Sequence, residues 1–403
     1  MITRRTFVHA ASLGLATAGL PRLSLGGQSG KANLVLVILR GAADGVAIAA
    51  PYGDGSYQSL RGELALPSPG QTDGLLKLDG LFGLNPAMPE LYRAWSEKQA
   101  TIIHAVASPY RSRSHFDGQD VLENGSSAAT TQRSGWMNRV LGPSGQSAAS
   151  SAIAISPHIP LILRGDNPAA NWAPSSMAET SDATLARVQD MYAADEFLST
   201  RLTQALLANE IAASGEAMDG RPARASSAQY FRQLMQAAAN FLTTEDGPTM
   251  AVVEAGGWDT HANQGTTRGT LANRLSMLDA GLADLKNGLG ASWDDTAVLV
   301  VTEFGRTLRV NGTRGTDHGT ASAAVLVGGA VRGGRVIADW PGLRSSDLYE
   351  DRDLMPTTDL RSVFKAALRD HAGLSEAYLE TTVFPDSRDA RPLEGLFRSQ
   401  API

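Results

Sequence analysis

The chain contains no cysteine, seven histidines and 6% aromatic residues. The missing cysteine excludes disulfides, thiolate nucleophiles, thiolate metal ligands and a cysteine-linked lipid anchor. Any metal must therefore be held by oxygen or imidazole donors. Basic runs are absent too. The net charge is −6 and is spread along the chain, with no Lys/Arg cluster interleaved with aromatics, so nucleic acid is not an expected partner. Nor is there an apolar run of membrane-spanning length. The N-terminal stretch Val8 to Leu20 falls short of the roughly 20 residues that a transmembrane helix needs. There is no internal repeat, and the only low-complexity patch is the Ser/Ala run at 144–152. What remains is 403 residues, 43% hydrophobic and 19% charged, ample for a large core.

Thr3-Arg4-Arg5-Thr6-Phe7 precedes that apolar stretch, and Pro21 and a small-residue region follow it. This is the layout of a secretory signal of the twin-arginine type. Residues 1–30 are expected to be that signal, and the mature protein to be periplasmic or secreted.

After it, the continuous apolar run Asn33 to Leu39 reads as a buried strand. Arg40-Gly41-Ala42-Ala43-Asp44-Gly45 follows at once, and glycine-rich sequence past a strand end is where α/β proteins place ligands. Residues 51–85 read as a long loop with a short hairpin. A helix is expected from Pro86 to about Gln99, a strand over Thr101 to Val106, and a polar loop from Ser108 running into a helix ending near Asn124. Ala152 to Ile155 and Leu161 to Arg164 are weaker strand signals. Helical patterning covers 184–212 and 226–243. Further on, strands at Thr249 to Glu254, Thr296 to Thr302 and Ala323 to Val327 alternate with helices at Arg268 to Leu289 and Leu360 to His371. That alternation predicts an α/β fold with a mostly parallel central sheet flanked by helices. Residues 31–403 are expected to form one domain with a largely helical insertion at about 165–248.

Three motifs carry candidate chemistry: VVEAGGWDTHANQ (252–264), VLVVTEFGRT (298–307) and RGTDHGTAS (314–322). Asp259 and His261 are two residues apart, after Gly256-Gly257, and share a face of an extended segment. The alternative is a satisfied polar loop. Asp317 and His318 are adjacent on a bend between Gly315 and Gly319, where each could serve one of two nearby metals. Glu303 stands at a strand end, as a ligand or as the ion-pair partner of Arg306, and Arg306 could grip an oxyanion. Asp44 repeats the pattern of strand, glycine and carboxylate, or caps a helix. Arg111-Ser112-Arg113-Ser114-His115 puts hydroxyls beside Arg and His at a helix start. There a serine near a metal can act as nucleophile and the helix N-terminus favours an anionic substrate.

The same segments, with LRGAADGV (39–46), FGLNPAMPELYRAW (82–95), YRSRSHFDGQDVLENG (110–125) and DLMPTTDLRSVF (353–364), resemble over nearly the full length an exported bacterial family, domain of unknown function fifteen-oh-one. That family is related to the alkaline phosphatase and sulfatase superfamily. The resemblance implies an alkaline phosphatase-like sheet, one or two divalent ions (zinc, manganese or calcium) at the strand ends, and hydrolysis of small anionic phosphate or sulfate esters. By the same resemblance Asp44, Asp259, His261, Glu303, Asp317 and His318 are metal ligands. Ser114, or else Ser112, is the nucleophile, with Arg113, His115 and Arg306 in the catalytic set. The alternative is a non-catalytic periplasmic binding or assembly protein on this fold, acting with a co-produced partner.

Overall fold

Strand β1, Asn33–Arg40, lies in the middle of the sheet because both of its faces are apolar. Leu34, Leu36 and Ile38 enter one core and Val35, Val37 and Leu39 the other, as the alternation of successive strand side chains requires. The computed structural model describes residues 31–142, 152–174, 182–213, 226–245 and 247–398. The expected twin-arginine segment lies outside them. Nine strands form the main sheet: β1, β2 (Ala100–Ala107), β3 (Ala152–Ile155), β4 (Ala170–Trp172), β5 (Met250–Gly256), β6 (Thr296–Thr302), β7 (Ser322–Val327), β8 (Arg335–Ile337) and β9 (Thr358–Asp359). Their order is β8-β2-β7-β6-β1-β5-β3-β4, with β9 beside β2.

One layer of helices holds α1 (Pro89–Ser96), α5 (Ser227–Thr243) and α6 (Thr270–Leu289), whose Leu91, Leu234 and Leu282 join the core around Val35. The other holds α2 (His115–Asn124) and α7 (Leu360–Ala366), through Leu122, Val363 and Phe364. Helices α3 (Asp182–Tyr192) and α4 (Glu196–Ala213) replace the single pattern read over 184–212. Asp195 divides them, its carboxylate accepting from the Leu198 N–H at 3.0 Å. Leu161 to Arg164 is not a strand. It makes a 3-10 turn after Pro160, and the Ile162 N–H goes to Glu123 Oε2 at 3.0 Å instead of to a neighbouring strand.

Among the described residues every pairing in the main sheet is parallel except those of β7, which runs against both β6 and β2. This reversal decides where the site can form. The C-terminal ends of β1, β2, β5 and β6 share one edge of the sheet, and the segment that precedes β7 arrives at that same edge.

The β2–β7 ladder carries a bulge. Ser322 pairs with Val106 and Ala323 with His104, leaving Ala105 unpaired with φ 55°. His104 supports it from within. Its Nδ1 accepts from the Ala105 N–H at 2.8 Å, and its Nε2 donates to Ala49 O at 3.0 Å. Burial lowers the His104 pKa to about 4, so the ring is neutral.

Candidate metal centre

Close packing of the turns that leave the strands brings the three motifs together. Gly41 follows β1 with φ +116°, and a Cβ there would stand 2.7 Å from the Asp259 backbone nitrogen, so only glycine lets the two turns touch. The Gly41 N–H donates to Glu303 Oε1 at 2.9 Å, joining the ends of β1 and β6. Trp258, fully buried, wedges the β5 turn into the core beside Asp259. Gly315 packs on the His261 carbonyl, where a Cβ would approach to 2.3 Å.

At this edge His115, His261 and His318 surround the Asp259 carboxylate. His261 Nε2 lies 3.1 Å from Asp259 Oδ1, His318 Nε2 3.3 Å from the same oxygen, and His115 Nε2 3.4 Å from Oδ2. The two nitrogens His261 Nε2 and His318 Nε2 are 3.0 Å apart. On the far side of each ring, Nδ1 meets an acceptor: Glu303 Oε1 at 2.8 Å for His115, Asp317 Oδ1 at 3.1 Å for His261 and the Arg113 carbonyl at 2.9 Å for His318. Glu303 and Asp317 both have pKa values below the usual carboxylate range. Burial alone would raise that of Glu303, but hydrogen bonds from His115, Gly41 and Gln119 outweigh it. For Asp317 the hydrogen bond from Asn311 leads and that from His261 adds to it. Ionised carboxylates and carbonyls only accept, so each Nδ1 carries a proton and each ring turns its Nε2 inward, where a ring without a second proton offers a lone pair.

Two imidazole lone pairs 3.0 Å apart repel unless a cation or a proton lies between them. His115 Nε2 is buried and has no aligned hydrogen-bond partner. A tetrahedral set of bonds of about 2.05 Å places its ligand atoms about 3.3 Å apart; here His261 Nε2 and His318 Nε2 lie 3.0 Å apart, and the three imidazoles reach the two Asp259 oxygens at 3.1–3.4 Å. His115, Asp259 and His318 offer ligand atoms all within 4.8 Å of one another. The donor set and its spacing fit a divalent cation.

The structure places the other expected ligands elsewhere. Glu303 and Asp317 stand behind the imidazoles and orient them. Asp44 is buried and committed. It caps the one-turn helix Gly45–Ile48, accepts from Gln264 Nε2 at 2.7 Å and pairs with Arg61 at 2.6 Å. Arg306 is buried and is not free for an oxyanion. It pairs with Asp259 Oδ1 and holds Thr316 Oγ1 at 3.1 Å. Burial would raise the Asp259 pKa, but Arg306 and the imidazoles bring it below its ordinary value. Arg113 is also occupied, by Asp353 at 2.8 Å and Glu350 at 2.6 Å. His115, expected in the catalytic set, faces the centre. Ser114 precedes α2 without capping it. Its chain neighbours are both pinned to the centre, the Arg113 carbonyl by His318 and the His115 ring by Glu303. Arg113 adopts φ 60°, a strained conformation for a non-glycine residue directly before Ser114. Ser112 is exposed. Gln119 and Asn311, which fix Glu303 and Asp317 at 3.2 and 3.0 Å, were not singled out in the sequence; only the helical register of His115 and Gln119 could have signalled the first.

A sequence family described as protein of unknown function (DUF1501) matches residues 92–383. No curated protein matches the chain by sequence. Similar solved structures include the C-terminal periplasmic domain of EcEptC from Escherichia coli in complex with zinc, at 13% identity, TM-score 0.39, covering 90% of this chain and 89% of that one. Another is the PsFucS1 sulfatase from Pseudoalteromonas sp., at 12% identity, TM-score 0.40, covering 93% and 74%. A third is the phosphonate monoester hydrolase of Agrobacterium radiobacter, at 12% identity, TM-score 0.34, covering 85% and 74%.

Proposed function

The chain belongs to the family described as protein of unknown function DUF1501, and we propose that it is an exported hydrolase of phosphate or sulfate esters with a divalent cation held by His115, His261, His318 and Asp259. One observation carries this reading: three imidazoles, each fixed from behind through Nδ1, turn Nε2 toward a single carboxylate. Three nitrogens and one oxygen suit zinc better than calcium, which prefers an all-oxygen shell. The cation would supply Lewis-acid polarisation of an ester oxygen.

The chain's own residues do the rest. Glu303, Asp317 and the Arg113 carbonyl keep the rings in one tautomer. Arg306 neutralises part of the Asp259 charge from the buried side. Ser114 Oγ attacks phosphorus or sulfur, the ester's alcohol leaves, and water then frees the serine. The half-exposed Asp259, His261 and Asp317 leave the centre open to substrate.

A second reading, a non-catalytic binding or assembly protein, is favoured by one feature: Arg113 and Arg306 are both engaged by carboxylates, so neither is free to grip the substrate anion. Zinc-loaded protein assayed on phosphate and sulfate monoesters separates the two. Turnover that Ser114→Ala lowers by about a thousandfold or more, with zinc retained, supports the hydrolase. No turnover on these esters favours the second reading, and turnover that Ser114→Ala leaves unchanged removes Ser114 as the nucleophile.

A further inference from the structure

At the opposite edge of the sheet, Lys98, Arg332, Arg335 and Arg398 line a depression of about 500 Å³ together with Gly333 and Gly334. Lys98 lies just before β2 and Arg335 begins β8, the edge strand. The metal centre lies past the other end of β2, whose eight residues at ~3.3 Å each put more than ~20 Å between the two.

The chain carries net charge −6, yet none of these four cations has an ion-pair partner among the described residues. Backbone carbonyls hold two of the side chains in place. Arg335 Nε donates to Arg332 O at 3.2 Å and its Nη2 to Gly395 O. Arg398 donates to Val331 O at 3.1 Å and to Lys98 O at 3.2 Å. Carbonyls orient a guanidinium but do not neutralise it. The Lys98 ammonium and the Arg332 guanidinium make no hydrogen bond among the described residues, and both are exposed. Burial, with Arg332 next to it, lowers the Arg335 pKa. Like charges are thus gathered around one concavity, two of them fixed and two free to close. The volume falls in the range of small-ligand sites, roughly 300–1,000 Å³. Planar guanidiniums match the oxygens of phosphate and sulfate in bidentate fashion.

We infer that this depression is a binding site for a small, multiply charged phosphate- or sulfate-bearing anion, separate from the metal centre. Pyrophosphate is the probe. It is titrated calorimetrically into the metal-loaded full chain, into Arg332→Gln and Lys98→Gln, and into Asp259→Ala, which disables the other place where pyrophosphate could bind. Arg268→Gln, an arginine 89% exposed elsewhere, controls for loss of one surface charge. Arg332 and Lys98 hold nothing in the fold, so their variants stay folded. The site predicts a binding event that weakens tenfold or more in Arg332→Gln and in Lys98→Gln, survives in Asp259→Ala and Arg268→Gln, and fades with added salt. Equal affinity in wild type and Arg332→Gln, or binding lost only in Asp259→Ala, overturns it. So does Arg332-dependent binding to phosphatidylglycerol vesicles without binding to pyrophosphate, which would make this a membrane-facing patch.

Discussion

Replacing Glu303 by glutamine should weaken the metal centre while leaving the fold intact. The Glu303 side chain is fully buried. Its Oε1 accepts from Gly41 N at 2.9 Å, His115 Nδ1 at 2.8 Å and Gln119 Nε2 at 3.2 Å. Its Oε2 faces Thr302 Oγ1 at 3.0 Å. A glutamine keeps its oxygen on the first three donors and turns its amide group toward Thr302 Oγ1, whose hydroxyl then donates to Leu39 O at 2.8 Å. No buried group loses its partner, so the stability cost is only about 1 kcal/mol. What disappears is the negative charge behind His115, which makes Nε2 a poorer donor to a cation. Losing such an outer partner weakens metal binding about 10–100-fold, or about 1.4–2.7 kcal/mol. Asp317→Asn does the same to His261, but Asp317 is 50% exposed and water screens its charge. Its effect should be the smaller of the two. Zinc competition against a chromophoric chelator measures both, with urea unfolding of the metal-free proteins as the control for folding. Unchanged affinity in Glu303→Gln, or a larger loss in Asp317→Asn, would refute the argument.

Asp44→Ala leaves Arg61 buried without its carboxylate, so unfolding should show a loss of about 3–5 kcal/mol. Zinc affinity of the folded variant should not change, and Arg61→Met added to it should recover much of the stability; a loss of zinc with Asp44 would return that residue to the centre. His104 gives a pH dependence. Unfolded, it takes up a proton as pH falls through its ordinary 6.5, but folded it resists until about 4. The unfolded state binds more protons in that window, so stability falls as pH falls, by roughly 3 kcal/mol in all. His104→Gln should flatten this part of the stability–pH curve, and an equal slope in wild type and variant would contradict the assignment.

The strands that build the site were legible because they are unbroken apolar runs: NLVLVIL at β1 and TAVLVVT at β6 are buried on both faces. The short edge strands β4, β8 and β9 were not, since two or three residues carry no period. The reversal of β7 was hidden as well. Apolar strands read the same in either direction, although only the reversal brings Asp317 and His318 to the edge where Asp259 stands. Sequence singled out the five residues of the three motifs, and the structure brings them together with Glu303 and Asp317 on the Nδ1 side of the His115 and His261 rings. Spacing tells which side chains converge. It does not tell which ring nitrogen faces inward, so Glu303 and Asp317 read as ligands and His115 as a member of the catalytic set. Asp44 misled for a different reason. A carboxylate past a strand suits a metal or a buried arginine equally well, and Arg61, seventeen residues on, gave no sign of returning to it.

The most direct test is the metal content of purified wild type beside His115→Ala, His261→Ala, His318→Ala and Asp259→Ala, measured by mass spectrometry after zinc supplementation and desalting. One bound ion per wild-type chain, lost from each folded variant, is the predicted result. A folded wild type that holds no metal, or an ion that stays bound when these side chains are removed, would contradict the account.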